Sequence, residues 1–430
     1  MSITLLLVLV VVFSFAVGHL LTRYASAVVT LSGAEYILVG VLIGPYFPWQ
    51  LLDETALAAL TPLVSLLLGL VGFVIGIRGE RPPSPGSTVV GYVSSFLVLV
   101  SVAALLLPLL QFIHPVDEAR EHFVIHWVVA RYGDWVVELH VASTHLWVAL
   151  GLGATACVAS PLLVEATHRI SGATGRVSEL LTASAHASQV LAVLVLGLVL
   201  ATAPATEAMA RLSMTVSEWA MATAALGVVC GLLFRLFVGR DTDPARIFLA
   251  TIGLVTFASG VGAALGVSPL FVTMLAGVTV SMTWRHSEAV RKDLNRLQHP
   301  LFVLVLIFAG TLWEPVHGWA WLLPACYVVS RFVARRFWTA ASVRLLMDPP
   351  LRTQRIGNGL LSQGTLAAAV AVNFAQLFTE FAPIVLTTVL LGTLLSDLLS
   401  GRALRAVLAD AGELGDPAPD PVAGASEAPS

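Results

Sequence analysis

The sequence predicts an all-α polytopic membrane protein of about 13 transmembrane helices, and three observations carry that prediction. Hydrophobic residues fill 57% of the 430 positions and charged ones only 11%, with a mean hydropathy of +0.88, outside the range of soluble globular chains. Apolar runs of about 20 residues, the length a helix needs to cross a ~30 Å hydrocarbon core, recur from end to end, without the short alternating strands of a membrane β-barrel. Finally, the basic residues alternate between loops, as they do when one side of the membrane collects them.

The spans are placed at 3–22, 30–46, 56–78, 87–112, 141–166, 178–202, 212–237, 245–265, 268–284, 299–316, 319–340, 354–378 and 381–400. The first, MSITLLLVLVVVFSFAVGHLL, lacks a basic n-region and a small-residue cleavage site, so it reads as a retained span. With the N-terminus outside and the C-terminus cytoplasmic, 19 of the 23 basic residues fall in inner loops, among them Arg78, Arg169, Arg235, Arg291, Arg335, Arg336 and Arg402. Only Arg120, Arg131 and Arg211 lie outside, and Arg331 falls within a span. A miscounted span would scramble this alternation, and the expected location is the cell membrane.

Between the fourth and fifth spans, 113–140 carries five acids and an amphipathic, aromatic middle, HFVIHWVVARYGDW, read either as an interfacial helix or as a packed loop. The Ala-, Pro- and Gly-rich C-terminal segment, 407–430, is expected to be a disordered cytoplasmic tail. Cys157, Cys230 and Cys326 lie in apolar runs without paired spacing, which suggests neither disulfide nor metal. Catalytic triad order, metal-ligand spacing and phosphate loops are all missing, so no enzyme activity, cofactor or nucleic-acid partner is expected.

Internal symmetry comes next. Pro62-Leu63 precedes Gly72 in the third span as Pro300-Leu301 precedes Gly310 in the tenth. The short second span (SGAEYILVGVLIGP) and the short ninth (LGVSPLFVTMLAGV) each set a small-residue turn before a Gly-containing run. Both pairs are seven spans apart, so the partners cross in opposite directions: a six-plus-six inverted repeat of the kind secondary transporters use. The repeat pairs the fifth span, interrupted at Ala159, Ser160 and Pro161, with the twelfth, interrupted by Gly357, Asn358, Gly359, Ser362, Gln363 and Gly364. Both are candidate broken helices, whose unwound N–H and C=O groups each cost several kcal/mol in hydrocarbon unless protein, water or an ion meets them. The alternative is a pair of kinked helices with Gly/Ser packing faces.

In their order and spacing, GAEYILVGVLIGP, PLVSLLLGLVGFVIGI, ATACVASPLLVEA, ASAHASQVLAVL, GVSPLFVTMLAGVTVS, PLFVLVLIFAGTLWEP, Arg331 and GNGLLSQGTLAAAVAV resemble the monovalent cation/proton antiporter superfamily, the sodium/hydrogen exchanger-like membrane domain. The resemblance covers the chain to about residue 405. It implies that the fifth and twelfth spans are broken and cross, and that a core transport domain (83–203 and 319–406) slides against a scaffold (1–82 and 204–318) that forms a homodimer in the lipid bilayer. Its implied partners are a monovalent cation, Na⁺ or K⁺, and the proton, exchanged by alternating access.

One departure stands out. Members of the family carry on the sixth span an Asp, usually after Asn or Asp, that binds cation or proton in turn; the matching positions here are Gln189 and Ser188. Ser160 matches an Asp often found in the fifth-span break. Glutamine does not titrate, so Gln189, Ser188 and Ser160 offer oxygens to a cation but no proton coupling. Three residues before Gln189, His186 shares its helix face and is the nearest titratable side chain. Arg331, costly at mid-span, is a site candidate that leans on carbonyl ends of the broken helices, attracts an anion, or snorkels toward Arg335 and Arg336. Of the acids, Asp397 and Glu165 are expected at the interface and Glu35 in the scaffold. Cation/proton exchange with a non-standard coupling site is the leading expectation; an anion transporter or uniporter on the same fold and a transport-inactive regulatory subunit are the alternatives.

Overall fold

The computed structural model describes residues 33–47, 52–78, 85–113, 143–202, 215–239, 243–283, 287–347 and 355–415. The expected first span at 3–22, the outer segment after 113, the tail beyond 415 and several loop arginines (Arg23, Arg81, Arg120, Arg131, Arg211, Arg240, Arg285, Arg352) lie outside the described residues.

Among the described residues every regular element is helical: α1 (Ala34–Ile43), α2 (Glu54–Ile77), α3 (Pro85–Ile113), α4 (Ser143–Ala156), α5 (Pro161–Ser171), α6 (Arg176–Thr202), α7 (Val216–Val238), α8 (Pro244–Ala264), α9 (Pro269–Thr283), α10 (Ser287–Thr311), α11 (Leu322–Leu346), α12 (Gly364–Leu377) and α13 (Ala382–Asp410). Short 3₁₀ turns at Gly318–Trp321, Ile356–Leu360 and Thr379–Phe381 connect some of them. Seven of the described helical stretches are long and apolar enough to cross a membrane. Local chemistry sets several starts. The Asp53 carboxylate accepts the Ala56 N–H at 2.8 Å ahead of α2, Thr215 and Glu218 form a reciprocal capping box on α7, and Pro161 and Pro244 open α5 and α8 where no N–H is needed.

Glycine contacts draw the helices into two groups. In the first, α1 lies on α10 so closely that a Cβ on Gly40 would sit 2.1 Å from the Ile307 carbonyl oxygen, and one on Gly310 would sit 2.2 Å from that of Ile37. Likewise α2 lies on α9, where Cβ atoms on Gly72 and Gly76 would each come within 2.1 Å of a carbonyl oxygen, of Leu270 and Met274. Without a hydrophobic force between helices in lipid, such backbone approach is what dispersion and Cα–H contacts need. The second group gathers α3 against α4, α6 and α11, with α12 and α13 packed on one another. Between the groups, Phe271 of α9 packs on Gly197 of α6, and Ser268 donates to the Asn373 side-chain oxygen of α12.

Of the helices that outrun their expected ends, two bear on the site and its surroundings. α11 continues through Leu346, which leaves Arg335 in its middle, fully buried, and not in an inner loop. α13 runs to Asp410, so the chain from 407 to 410 is helix and not tail; residues after it fold back, with the Glu413 carboxylate accepting the Val177 and Ser178 N–H groups, each at 2.8 Å, as the N-terminal cap of α6.

Candidate functional site at the crossing of two broken helices

The fifth stretch is helical to Ala156, extended through Ser160 and helical again from Pro161. Small residues and the proline account for it: Pro161 cannot donate to the preceding turn, and the residue before a proline is driven out of the α region. The twelfth stretch stops as 3₁₀ at Leu360 and resumes at Gly364. The two interruptions face each other, with the Ser160 N–H donating to the Ser362 carbonyl at 2.9 Å. Gly364 is required here twice over, because it holds φ at +62° and a Cβ on it would lie 2.8 Å from Ser160 Oγ.

Breaking a helix exposes polar ends, and each end meets a partner of the right sign. α4 terminates in the carbonyls of Ala156, Cys157 and Val158, the negative end of a helix dipole. Arg331, fully buried on α11, donates to Ala156 at 3.1 Å and Val158 at 3.0 Å, and from Nη1 to Leu361 at 2.7 Å and Ser396 Oγ at 3.0 Å. Arg335, one turn further and also fully buried, donates to the Cys157 carbonyl and to Ser95 Oγ at 3.4 Å. Of the options open for Arg331 in the sequence, the structure places it on the carbonyl ends; it does not snorkel. Four of its five N–H donors are spent on protein acceptors, so no open fork is left for an anion.

At the opposite end, the N-terminus of α12 meets an acid. Asp397 Oδ1 accepts the Gln363 N–H at 3.1 Å and the Ser362 hydroxyl at 2.8 Å. Contrary to the interfacial expectation, Asp397 is 4% exposed, because α13 extends well beyond it on both sides. Gln363 then ties the parts together: its Nε2 donates to the Thr155 carbonyl at 3.0 Å and to Tyr327 Oη at 2.6 Å, and Tyr327 Oη lies 3.0 Å from Thr155 Oγ1.

The remaining candidates separate. Ser188 Oγ accepts the Ala159 N–H at 2.9 Å and donates to the Ala185 carbonyl at 2.7 Å, so its hydroxyl is occupied in bracing the first break. Gln189, beside it on α6, and Ser160 are buried at the same depth of 9% exposure. His186 turns to α5, where Nε2 lies 3.4 Å from Glu165 Oε1 with both side chains about a third exposed (31% and 34%), outside the hydrogen-bonded network of the crossing. Arg335, Asp397, Tyr327, Thr155 and Ser396 are site residues that the sequence did not single out as such.

Comparisons with known proteins bear on the family and the fold. The family model described as sodium/hydrogen exchanger, transmembrane, matches residues 139–409, well over half the chain and all of the crossing. Among solved structures, the chain is similar to the sodium proton antiporter MjNhaP1 from Methanocaldococcus jannaschii at pH 8, with a TM-score of 0.61 and 13% identity over 96% of this chain and 100% of that one. A second structure of MjNhaP1, an electron-microscopy map, gives a TM-score of 0.59 at 13% identity, covering 95% and 98%. Identities this low carry the fold alone. No curated protein matches the sequence. By fold and by family model, this integral membrane chain belongs to the sodium/hydrogen exchanger family.

Proposed function

We propose that the chain is a secondary transporter exchanging a monovalent cation, Na⁺ or K⁺, for protons by alternating access at the crossing of the two broken helices. The observation that carries this reading is the complementary polarity of the crossing: two buried arginines on the carbonyl end of α4, and a buried carboxylate on the amide end of α12. Such pairs of half-helix ends, held by protein at bilayer depth, are what transporters use to bind and release ions.

The helix partition supports a two-domain mechanism. The scaffold comprises 1–82 and 204–318, and the mobile core 83–203 and 319–406; the glycine-packed pairs α1 with α10 and α2 with α9 fall in the former, the crossing in the latter. A six-plus-six inverted repeat exchanges the second span with the ninth and the third with the tenth. It therefore maps the α1–α10 contact onto the α9–α2 contact, which is the pairing found. Ser160 and Gln189 supply neutral oxygens beside the crossing, and the Arg331 donors, engaged by protein, argue against anion movement.

The test is reconstitution into liposomes with an imposed pH gradient, followed by addition of Na⁺, K⁺ or Li⁺. Dissipation of the gradient by Na⁺ or K⁺ is expected; no dissipation by any alkali cation from mildly acidic to mildly alkaline pH overturns the proposal.

A further inference from the structure

Exchange by competition needs one group that is negative in one state and neutral in the other. At the crossing the titratable side chains are Arg331, Arg335, Tyr327, Cys157 and Asp397. Arginine stays protonated, and the phenol and thiol ionise only in alkaline solution, whereas a carboxylate alternates within the physiological range when its surroundings favour neither form strongly. From the geometry we infer that Asp397 is the proton- and cation-binding carboxylate of this chain, so that the coupling acid sits on the last membrane helix and not on α6. The inference rests on the antiport reading above.

Three features of the geometry bear on it. First, the carboxylate is half used: Oδ1 holds the Ser362 hydroxyl and the Gln363 N–H, while Oδ2 is buried without a partner. An unpartnered carboxylate oxygen at this depth is costly and calls for either a proton or a cation. Second, Arg331 of α11 does not neutralise it by contact. The guanidinium lies within electrostatic reach but directs its N–H groups at Ala156, Val158, Leu361 and Ser396. From α1, Glu35 is a second charged group in reach, half-buried with its Oε2 likewise unpartnered; from α12 and the turn before it come the neutral Ser362, Gln363 and Gly364. Of the other helices packed on α13, α4 carries His145 against Phe381, and α5 carries Glu165 against His186 and His168 against Ser178. Third, both breaks are stitched in the same way. The Ala159 N–H before α5 is accepted by Ser188 of the following helix, and the Gln363 N–H before α12 by Asp397 of the following helix. The two stitches join the fifth span to the sixth and the twelfth to the thirteenth, spans that the proposed repeat pairs, one through a hydroxyl and the other through an acid.

The exchange balances as the Asp397 carboxylic acid plus a cation giving carboxylate, bound cation and a released proton. Oδ2 binds the incoming species, Ser362 and the α12 amide end keep Oδ1 in place in both states, and Glu35 on the scaffold side adds a second negative charge that favours the cation.

The experiment compares wild type, Asp397→Asn and Asp397→Glu in proteoliposomes under a pH gradient with Na⁺ or K⁺. Asp397→Asn keeps the Oδ1 acceptor and so the stitch, and is expected to lose exchange while eluting and melting like wild type. Asp397→Glu is expected to exchange with a displaced pH profile, a readout that a purely structural acid would not move. If Asp397→Asn exchanges at the wild-type rate with the wild-type profile, the inference falls while antiport stands. If the asparagine variant does not fold, an undisplaced profile in Asp397→Glu overturns the inference. Wild type inactive with every cation overturns the antiport reading itself.

Discussion

Replacing Arg331 by alanine removes the donor for three buried carbonyls, Ala156, Val158 and Leu361, and for Ser396 Oγ. A buried acceptor left without a partner costs about 1–3 kcal/mol, so three carbonyls set a gross loss of about 3–9 kcal/mol. Against this stands the cost of burying the guanidinium itself, several kcal/mol, which the variant no longer bears. The net expectation is a loss of about 3–5 kcal/mol, the range for removing one partner from a buried charged arrangement. Arg331→Lys keeps the charge but presents a compact ammonium in place of a planar fork, so it cannot span carbonyls from both interruptions and should recover less than half of the loss. Two readouts apply to detergent-purified protein in a Cys230→Ala, Cys326→Ala background: thermal unfolding, and labelling of Cys157, fully buried in the first break, by a thiol-specific probe. The expected result is a lower melting temperature and faster labelling of Cys157 in the order wild type, lysine, alanine. An alanine variant that melts with wild type and leaves Cys157 unlabelled would refute the claim that Arg331 holds the breaks.

Other consequences can be checked separately. Ser188→Ala orphans the Ala159 N–H and should cost about 1–3 kcal/mol in unfolding measurements without changing the apparent cation affinity, whereas a ligand role would change the affinity. Adding Gln189→Asp to Asp397→Asn should restore part of the lost exchange in proteoliposomes; no recovery contradicts the reading that an acid on α6 beside the crossing can also couple cation and proton. Gly40→Val forces a side chain into the Ile307 carbonyl and should separate α1 from α10, read as a lower melting temperature and reduced folded yield; wild-type stability would contradict the close packing. Glu413→Ala removes the cap of two α6 amides and should cost about 1–2 kcal/mol, read as faster hydrogen exchange at Val177 and Ser178.

Hydropathy, with its period and length, made the helical architecture legible, because burying backbone in lipid leaves few alternatives. The first break could be read from Ala159-Ser160-Pro161, which joins a missing donor to small residues, and the second from the run Gly357 to Gly364, which sets three glycines among polar side chains. Arg331 was legible because charge at mid-span is costly. Arg335 was not: it adjoins Arg336 in a basic cluster that was counted with the inner loops, although it falls within the span expected at 319–340, and in the structure it is fully buried near the middle of α11. Asp397 was misplaced as well. Arg402 suggested a helix end that α13 passes by eight residues, to Asp410, so the acid moves from an expected interface to the centre of the helix. Ser188 shows a different limit, for its hydroxyl looks the same in sequence whether it faces an ion or a backbone amide in the break of the preceding span.

If Asp397 is the coupling acid, one buried carboxylate at the crossing holds a proton or a cation but not both. The most direct measurement is proton release when Na⁺ or K⁺ is added to lightly buffered, purified protein near the midpoint of its pH profile. Release approaching about half a proton per chain at that midpoint is expected in wild type and none in Asp397→Asn. Cation binding without proton release in wild type, or undiminished release in Asp397→Asn, would contradict it.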